Sequence, residues 1–121
     1  MSEKIRIYHN PRCSKSRGAC ALLAERGVEF EVIEYLKTPP SLEELRAIVA
    51  QLGIRPAELV RRNENIFKEQ YAGQALDDNG WLQAMVEHPI LIERPIVVAE
   101  GRAVIGRPPE RIATMLDGPG T

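Results

Sequence analysis

Cys13 is the side chain of this sequence best suited to nucleophilic chemistry. It lies in the stretch YHNPRCSKSR, residues 8–17, where its immediate neighbours are polar or basic. The thiolate is the nucleophilic form of cysteine, and a free thiol with a pKa near ~8.5 is only about 3% thiolate at pH 7. Positive charge from Arg12, Lys15 and Arg17 favours the thiolate. The sequence therefore predicts a reactive thiol at position 13.

Cys20 has different surroundings. Its neighbours are Ala19, Ala21 and Leu22, and an isolated cysteine in apolar sequence usually packs as a small hydrophobe. We interpret Cys20 as a packing residue. In a helix the two cysteines would be separated by an axial rise of about 10 Å, too far for a disulfide without unwinding.

The elements around Cys13 are a strand, a turn and a helix. Ile5 and Ile7 alternate with polar residues, Asn10-Pro11 is typical of a turn, and apolar residues then recur at helical spacing. Cys13 is therefore predicted at or just before a helix N-terminus. The free backbone N–H groups and the positive helix dipole there stabilise a thiolate and attract a tetrahedral oxyanion. Nucleophile and substrate anchor can share one loop.

Composition limits the class of protein. The chain has 121 residues, 44% of them hydrophobic, and a net charge of −1 without a single-sign tail. These values predict one domain with its own core and give no electrostatic case for nucleic acid or an anionic membrane. Two cysteines without a signal peptide, and no apolar run of membrane-spanning length, indicate a reduced cytoplasmic protein. No second cluster of soft ligands accompanies His9 and Cys13, so no metal site is predicted.

The first helix is predicted to stop at Gly27, and residues 29–36 alternate as a strand. A strand, helix and strand in so short a unit favour a parallel pair with a right-handed crossover.

Residues 41–88 are predicted to form a mostly helical insertion. Ser41 and Glu44 make a capping box before an apolar helical face that ends at Gly53. Pro56 suits the first position of a short helix running to Asn63, and residues 63–74 are assigned as helical turns. Residues 77–79 offer caps for a last helix, which Pro89 stops.

Strands return at residues 95–99 and 103–105, which are predicted to form a hairpin. Pro108-Pro109-Glu110 opens a final helix through Leu116, and residues 118–120 are a predicted frayed tail. The order β-α-β, helices, β-β-α fits a small α/β layer fold with its site near the C-terminal end of the first strand.

Four separated motifs together resemble the glutaredoxin-linked arsenate reductases, the ArsC family. They are YHNPRCSKSR at 8–17, LKTPP at 36–40, HPILIERPIVV at 88–98 and IGRP at 105–108. The resemblance covers roughly residues 4–117, and several motifs in order are far more specific than one cysteine loop.

The resemblance implies a thioredoxin-like mixed sheet with a helical insertion between the second and third strands. It also implies reduction of arsenate to arsenite, with glutathione as co-substrate, glutaredoxin as partner and no tightly bound cofactor. By position, Cys13 attacks arsenate and His9 assists its deprotonation. The implied substrate-binding residues are Arg61, Arg94, Arg107, Ser14 and Ser16. Asn10 and Pro95 are structural residues at the site, Pro95 as the cis-proline of thioredoxin-like folds.

Two alternatives stay open. Spx-like regulatory binding proteins resemble this family in fold, but they typically carry Cys-x-x-Cys in the first loop, where this chain has Ser16. A thiol reductase for a different oxyanion is the other alternative. The choice of Arg61 over Arg62 comes from the resemblance alone, because a lone arginine is more often a solvated surface residue.

Overall fold

The structure is a computed structural model and describes residues 5–99, 101–107 and 110–117. Its strands are β1 (Ile5–His9), β2 (Phe30–Glu34), β3 (Ile96–Ala99) and β4 (Arg102–Ile105). Its helices are α1 (Ser14–Glu25), α2 (Leu42–Leu52), α3 (Asn65–Gln70), α4 (Asp78–Glu87) and α5 (Glu110–Asp117), with short 3₁₀ turns at Pro56–Leu59 and Pro89–Leu91. The predicted start of the last helix at Pro108-Pro109 and the predicted frayed tail at 118–120 lie outside the described residues.

The strands form one mixed sheet in the order β2-β1-β3-β4. β1 and β2 are parallel, with Ile5 opposite Phe30 and His9 opposite Glu34. β3 is antiparallel to both β1 and β4. The predicted parallel pair, the hairpin and the helical insertion between the second and third strands are confirmed.

By contact density the described residues fall into two compact units. One, the sheet unit, contains the described residues up to Thr38 and those from Arg94 onward, and the other, the insertion unit, is Pro39–Glu93. The insertion predicted at 41–88 lies within the second unit. The assignment of the whole chain as one domain stays a prediction.

The core of the sheet unit lies between the sheet and helices α1 and α5. Its buried residues are Ile5, Ile7, Ala19, Leu23, Val97, Ala99 and Ile112. Alternation along β1 directs Ile5, Ile7 and then His9 to the same face. His9, the last residue of β1, therefore points toward α1. This direction decides which side chain His9 contacts.

The insertion unit begins with the predicted capping box. Ser41 Oγ accepts from the Glu44 N–H at 3.1 Å, and the Ser41 N–H donates to Glu44 Oε1 at 3.0 Å. Gly53 ends α2 in the left-handed region at φ 70°. The capped helix predicted from the sequence is confirmed.

The segment after Pro56 differs from its prediction. The helix predicted to reach Asn63 is a 3₁₀ turn that ends at Leu59. Val60 is extended and forms an antiparallel bridge with Ile92. Pairing with a distant segment ends this helix, and local sequence does not encode that pairing. Of the helical turns predicted over 63–74, one short helix, α3, is present.

Within the described ranges, no helix combines the length and apolar character needed to cross a membrane.

Candidate active site

Cys13 is the N-cap residue of α1, as predicted. Its backbone is extended at φ −94° and ψ 121°, and its N–H donates to the Asn10 carbonyl at 2.9 Å. Asn10 Oδ1 accepts from the Arg12 N–H at 3.0 Å, so the buried Asn10 side chain holds the turn before the thiol. This contact supports the structural role predicted for Asn10. Only 9% of the Cys13 surface is exposed.

The two loop serines have different environments. Ser14 is exposed at the first position of α1. Ser16 is fully buried, and its Oγ accepts from the Asn10 N–H at 3.3 Å. The Ser16 hydroxyl is therefore part of the internal bonding of the loop. The substrate-binding roles of both serines stay predictions.

The pKa of the Cys13 thiol is lowered to about 7. Burial alone would raise it, but hydrogen bonds from the Ser16 and Lys15 backbone N–H groups and from the Arg94 side chain favour the thiolate. The positive charge of Arg94 acts in the same direction. At pH 7 about half of the thiol would be ionised. The direction of this shift agrees with the acidic thiol that the sequence predicts, and its causes are the backbone N–H groups at the helix N-terminus and Arg94.

Two arginines reach the thiol from the loops that flank β3 and β4. Arg107 Nη2 lies 3.6 Å from Cys13 Sγ, and Arg107 Nε donates to the Arg94 carbonyl at 2.8 Å. The Arg94-Pro95 bond is cis, which confirms the cis-proline prediction. The Pro95 carbonyl accepts from the Gly106 N–H at 2.8 Å. The two arginine loops are thus bonded to each other beside Cys13.

His9 contacts the other cysteine. Its Nδ1 lies 3.6 Å from Cys20 Sγ, on the face of β1 that packs against α1. Burial lowers the pKa of His9, Glu34 opposes that effect and Arg17 adds to it. Burial raises the pKa of Cys20. A neutral thiol beside a neutral imidazole fits these shifts. The role of His9 in deprotonating Cys13 stays a prediction.

The third predicted arginine lies in the insertion unit. Arg61 donates from Nε to Glu64 Oε2 at 3.0 Å and from Nη1 to Glu93 Oε1 at 2.6 Å. Its neighbour Arg62 is exposed, with its guanidinium carbon 5.2 Å from the Phe67 ring centroid. The sequence placed Arg61 among the substrate ligands, a role that stays a prediction.

Sequence analysis missed two features of the site. Arg17 Nη1 donates to the Pro11 carbonyl at 2.9 Å, so Arg17 braces the loop in addition to carrying charge. The contact between His9 and Cys20 was also missed. Strand alternation could have placed His9 on the face of Ile5 and Ile7, but which helical residue meets it depends on how α1 packs.

No group of three or more His, Cys, Asp or Glu side chains in the described part of the chain is arranged to hold a metal ion.

We expect Cys13 alkylation by iodoacetamide to rise with pH through a midpoint near 7, because the thiolate is the reacting form and its pKa is about 7. Below that midpoint the thiol is protonated and the rate falls about tenfold per pH unit. Mass spectrometry of the modified peptides counts Cys20 separately, and Cys20 is expected to react only at higher pH. A Cys13 midpoint at or above that of Cys20 would contradict the thiolate site.

Gly106→Ala is expected to destabilise the protein by about 1–3 kcal/mol. A Cβ at this position would lie 2.9 Å from Ile112 Cδ1 and 3.1 Å from Pro95 Cγ. Urea denaturation measures the loss. Adding Ile112→Val, which removes Cδ1, should restore part of the stability lost by Gly106→Ala; no recovery would mean that the contact with Ile112 Cδ1 is not the cause.

Comparison with known proteins identifies the family of this chain. The profile of the ArsC family matches residues 8–115. An arsenate reductase of Neisseria meningitidis is 48% identical over 115 residues, covering 93% of this chain and 98% of the relative. An uncharacterised Escherichia coli protein, YfgD, is 51% identical over 114 residues, covering 93% and 96% of the two chains.

A solved structure agrees. The arsenate reductase from Vibrio cholerae superposes with a TM-score of 0.89 at 47% identity, covering 93% of this chain and 98% of that one. Its likeness extends over the mixed sheet and the helices between strands 2 and 3, so the thioredoxin-like fold is confirmed. The family profile matches most of this chain, and the relatives align with it almost end to end. This chain therefore belongs to the ArsC family.

Proposed function

We propose that this protein is an arsenate reductase that reduces arsenate to arsenite through a covalent adduct on Cys13, with glutathione as co-substrate and glutaredoxin as partner. The observation that carries the proposal is the acidic Cys13 thiol, at the N-cap of α1, with Arg107 Nη2 3.6 Å from its sulfur. The nucleophile therefore lies beside cationic hydrogen-bond donors that can bind an oxyanion.

The first chemical step is attack of the Cys13 thiolate on arsenic(V). An As–S bond forms and one arsenate oxygen leaves as water after protonation. The positive end of the α1 dipole and the guanidinium groups of Arg94 and Arg107 offset the negative charge of the bound anion and of its adduct. The chain therefore supplies a nucleophile and charge stabilisation in this step.

Reduction needs two electrons, which two external thiols supply. Glutathione adds to the arsenic of the adduct with loss of a second water. The glutaredoxin thiolate then attacks the glutathione sulfur, the As–S bond to glutathione breaks, and its electron pair reduces arsenic(V) to arsenic(III). Hydrolysis releases arsenite and restores the Cys13 thiol. The other product is glutathionylated glutaredoxin.

This sequence of steps requires no second cysteine beside Cys13. Position 16 carries a serine that is fully buried and bonded to the Asn10 N–H. A Cys-x-x-Cys disulfide in the first loop cannot form, and in the proposed mechanism external thiols resolve the adduct. The requirement for reduced glutathione matches the reducing cytoplasm.

A coupled assay tests the proposal. NADPH oxidation is followed with glutathione, glutathione reductase and glutaredoxin, with and without arsenate. Oxidation that depends on both arsenate and this protein supports the proposal. A rate independent of arsenate, or seen only with another oxyanion, would reject it in favour of a different thiol reductase, and no rate at all would favour a regulatory binding protein.

A further inference from the structure

Two exposed cations lie beside Cys13 in the chain. Arg12 directly precedes Cys13, Lys15 follows it in the first turn of α1, and both residues are exposed. Because neighbouring Cα atoms are about 3.8 Å apart, both lie within roughly 8 Å of Cys13 by Cα position. Cys13 itself is only 9% exposed. A molecule that approaches its sulfur therefore comes within reach of these two long side chains, which we call the basic rim.

The other cations of the site already have partners in the protein. Arg17 Nη1 donates to the Pro11 carbonyl at 2.9 Å. Arg107 Nε donates to the Arg94 carbonyl, and Arg107 Nη2 lies 3.6 Å from Cys13 Sγ. Among the residues that the structure describes, none forms a hydrogen bond or an ion pair with a side chain of the basic rim. The arginines at the sulfur are placed for the oxyanion, and the basic rim remains for a second anion.

Ionisation of the thiol depends mainly on groups other than the basic rim. The side-chain charge that lowers the pKa of Cys13 is that of Arg94, and Lys15 contributes through its backbone N–H. Solvated surface charges act weakly on a group that has closer partners. The charges of the basic rim are therefore available to a ligand.

The proposed reaction brings an anionic thiol to this place. Glutathione has two carboxylates and one ammonium group, so its net charge is negative at neutral pH. Its sulfur must reach the arsenic held on Cys13, which brings its carboxylates near Arg12 and Lys15. We propose that the basic rim binds the carboxylates of glutathione and makes the chemistry of Cys13 selective for anionic thiols. This proposal rests on the proposed function, in which glutathione is the co-substrate.

Thiol–disulfide exchange tests the basic rim without arsenate. The Cys13 thiolate attacks one sulfur of oxidised glutathione, and a new S–S bond forms to that glutathionyl group. The original S–S bond breaks, and the other glutathione leaves as a thiolate that takes up a proton. Mass spectrometry follows the adduct in a Cys20→Ser background, so that only Cys13 reacts. Bis(2-hydroxyethyl) disulfide, which is neutral, is the matched reagent.

The double variant Arg12→Gln/Lys15→Gln should lower the exchange rate with oxidised glutathione about three- to tenfold, because two exposed charge contacts are lost. Its rate with the neutral disulfide should stay that of the parent protein, which also shows that the variant is folded. Added salt should slow the parent protein with oxidised glutathione only, since salt screens exposed charges.

Arg26→Gln is the matched control. Arg26 is exposed at the opposite end of α1, an axial distance of roughly 20 Å from Cys13, and its replacement removes the same charge. Both exchange rates should be unchanged in this variant. An unchanged rate with oxidised glutathione in the double variant, or an equal fall with both disulfides, would overturn the proposal.

Steady-state kinetics separate the basic rim from the proposed reaction. In the coupled assay Arg12→Gln/Lys15→Gln should raise the KM for glutathione and leave the KM for arsenate unchanged. A rise confined to the KM for arsenate would assign the basic rim to the oxyanion and overturn the proposal. If the parent protein shows no arsenate-dependent turnover, the proposed function fails, and the exchange rates with the two disulfides still decide whether the basic rim binds glutathione.

Discussion

Cys13→Ser is expected to abolish arsenate-dependent NADPH oxidation in the coupled assay, while Cys20→Ser retains most of it. The serine hydroxyl at position 13 is not ionised at neutral pH, so neither the α1 N-terminus nor Arg94 can make it a comparable nucleophile. Loss of the covalent step leaves only slow uncatalysed reduction by glutathione. This is the largest effect that we predict.

Cys20→Ser is the matched control, because the serine hydroxyl can still donate a hydrogen bond to His9 Nδ1. The two variants thus differ in which thiol is removed, with the same substitution at each position. Loss of activity in Cys20→Ser, with an unchanged circular dichroism spectrum, would make Cys20 a second redox thiol. The mechanism with one protein thiol would then be wrong.

The second large effect is expected at the two arginines beside Cys13. Arg94→Lys and Arg107→Lys keep the positive charge but lose the planar pair of N–H donors that a guanidinium offers an oxyanion. Loss of one charge-assisted contact costs roughly 1.5–3 kcal/mol, about ten- to two-hundred-fold in kcat/KM for arsenate. Arg107→Lys also removes the hydrogen bond from Arg107 Nε to the Arg94 carbonyl. The loss of kcat/KM in Arg107→Lys should therefore be at least as large as that in Arg94→Lys.

Arg62→Lys serves as the control for this pair. Arg62 is exposed, and its guanidinium lies over the rings of Phe67 and Trp81 at 5.2 and 5.5 Å from their centroids. A lysine there keeps a cation near the aromatic rings, and kcat/KM should change less than about twofold. Equal small effects at all three positions would mean that the arginines set only the local electrostatic potential. The proposal that Arg94 and Arg107 bind the oxyanion would then be wrong.

Part of the fold could be predicted because its causes are local. The Ser41 and Glu44 capping box, the stop at Gly53 and the alternation along β1 depend on residues a few positions apart. The position of Cys13 at a helix N-terminus follows from the same local logic. The prediction that this helix reaches Asn63 was wrong. The bridge between Val60 and Ile92 ends the helix, and it joins residues more than thirty positions apart.

The sequence by itself determined the kind of chemistry. A cysteine in a basic loop before a helix predicts an acidic thiol, and the spaced motifs identify the ArsC resemblance. Only the tertiary structure decided which groups act together. It placed Arg107 at the Cys13 sulfur, directed His9 to Cys20 and paired Arg61 with Glu64 and Glu93. Side-chain partners depend on how strands and helices pack, and residue 107 meets residue 13 only because the folded chain brings together segments ninety-four positions apart.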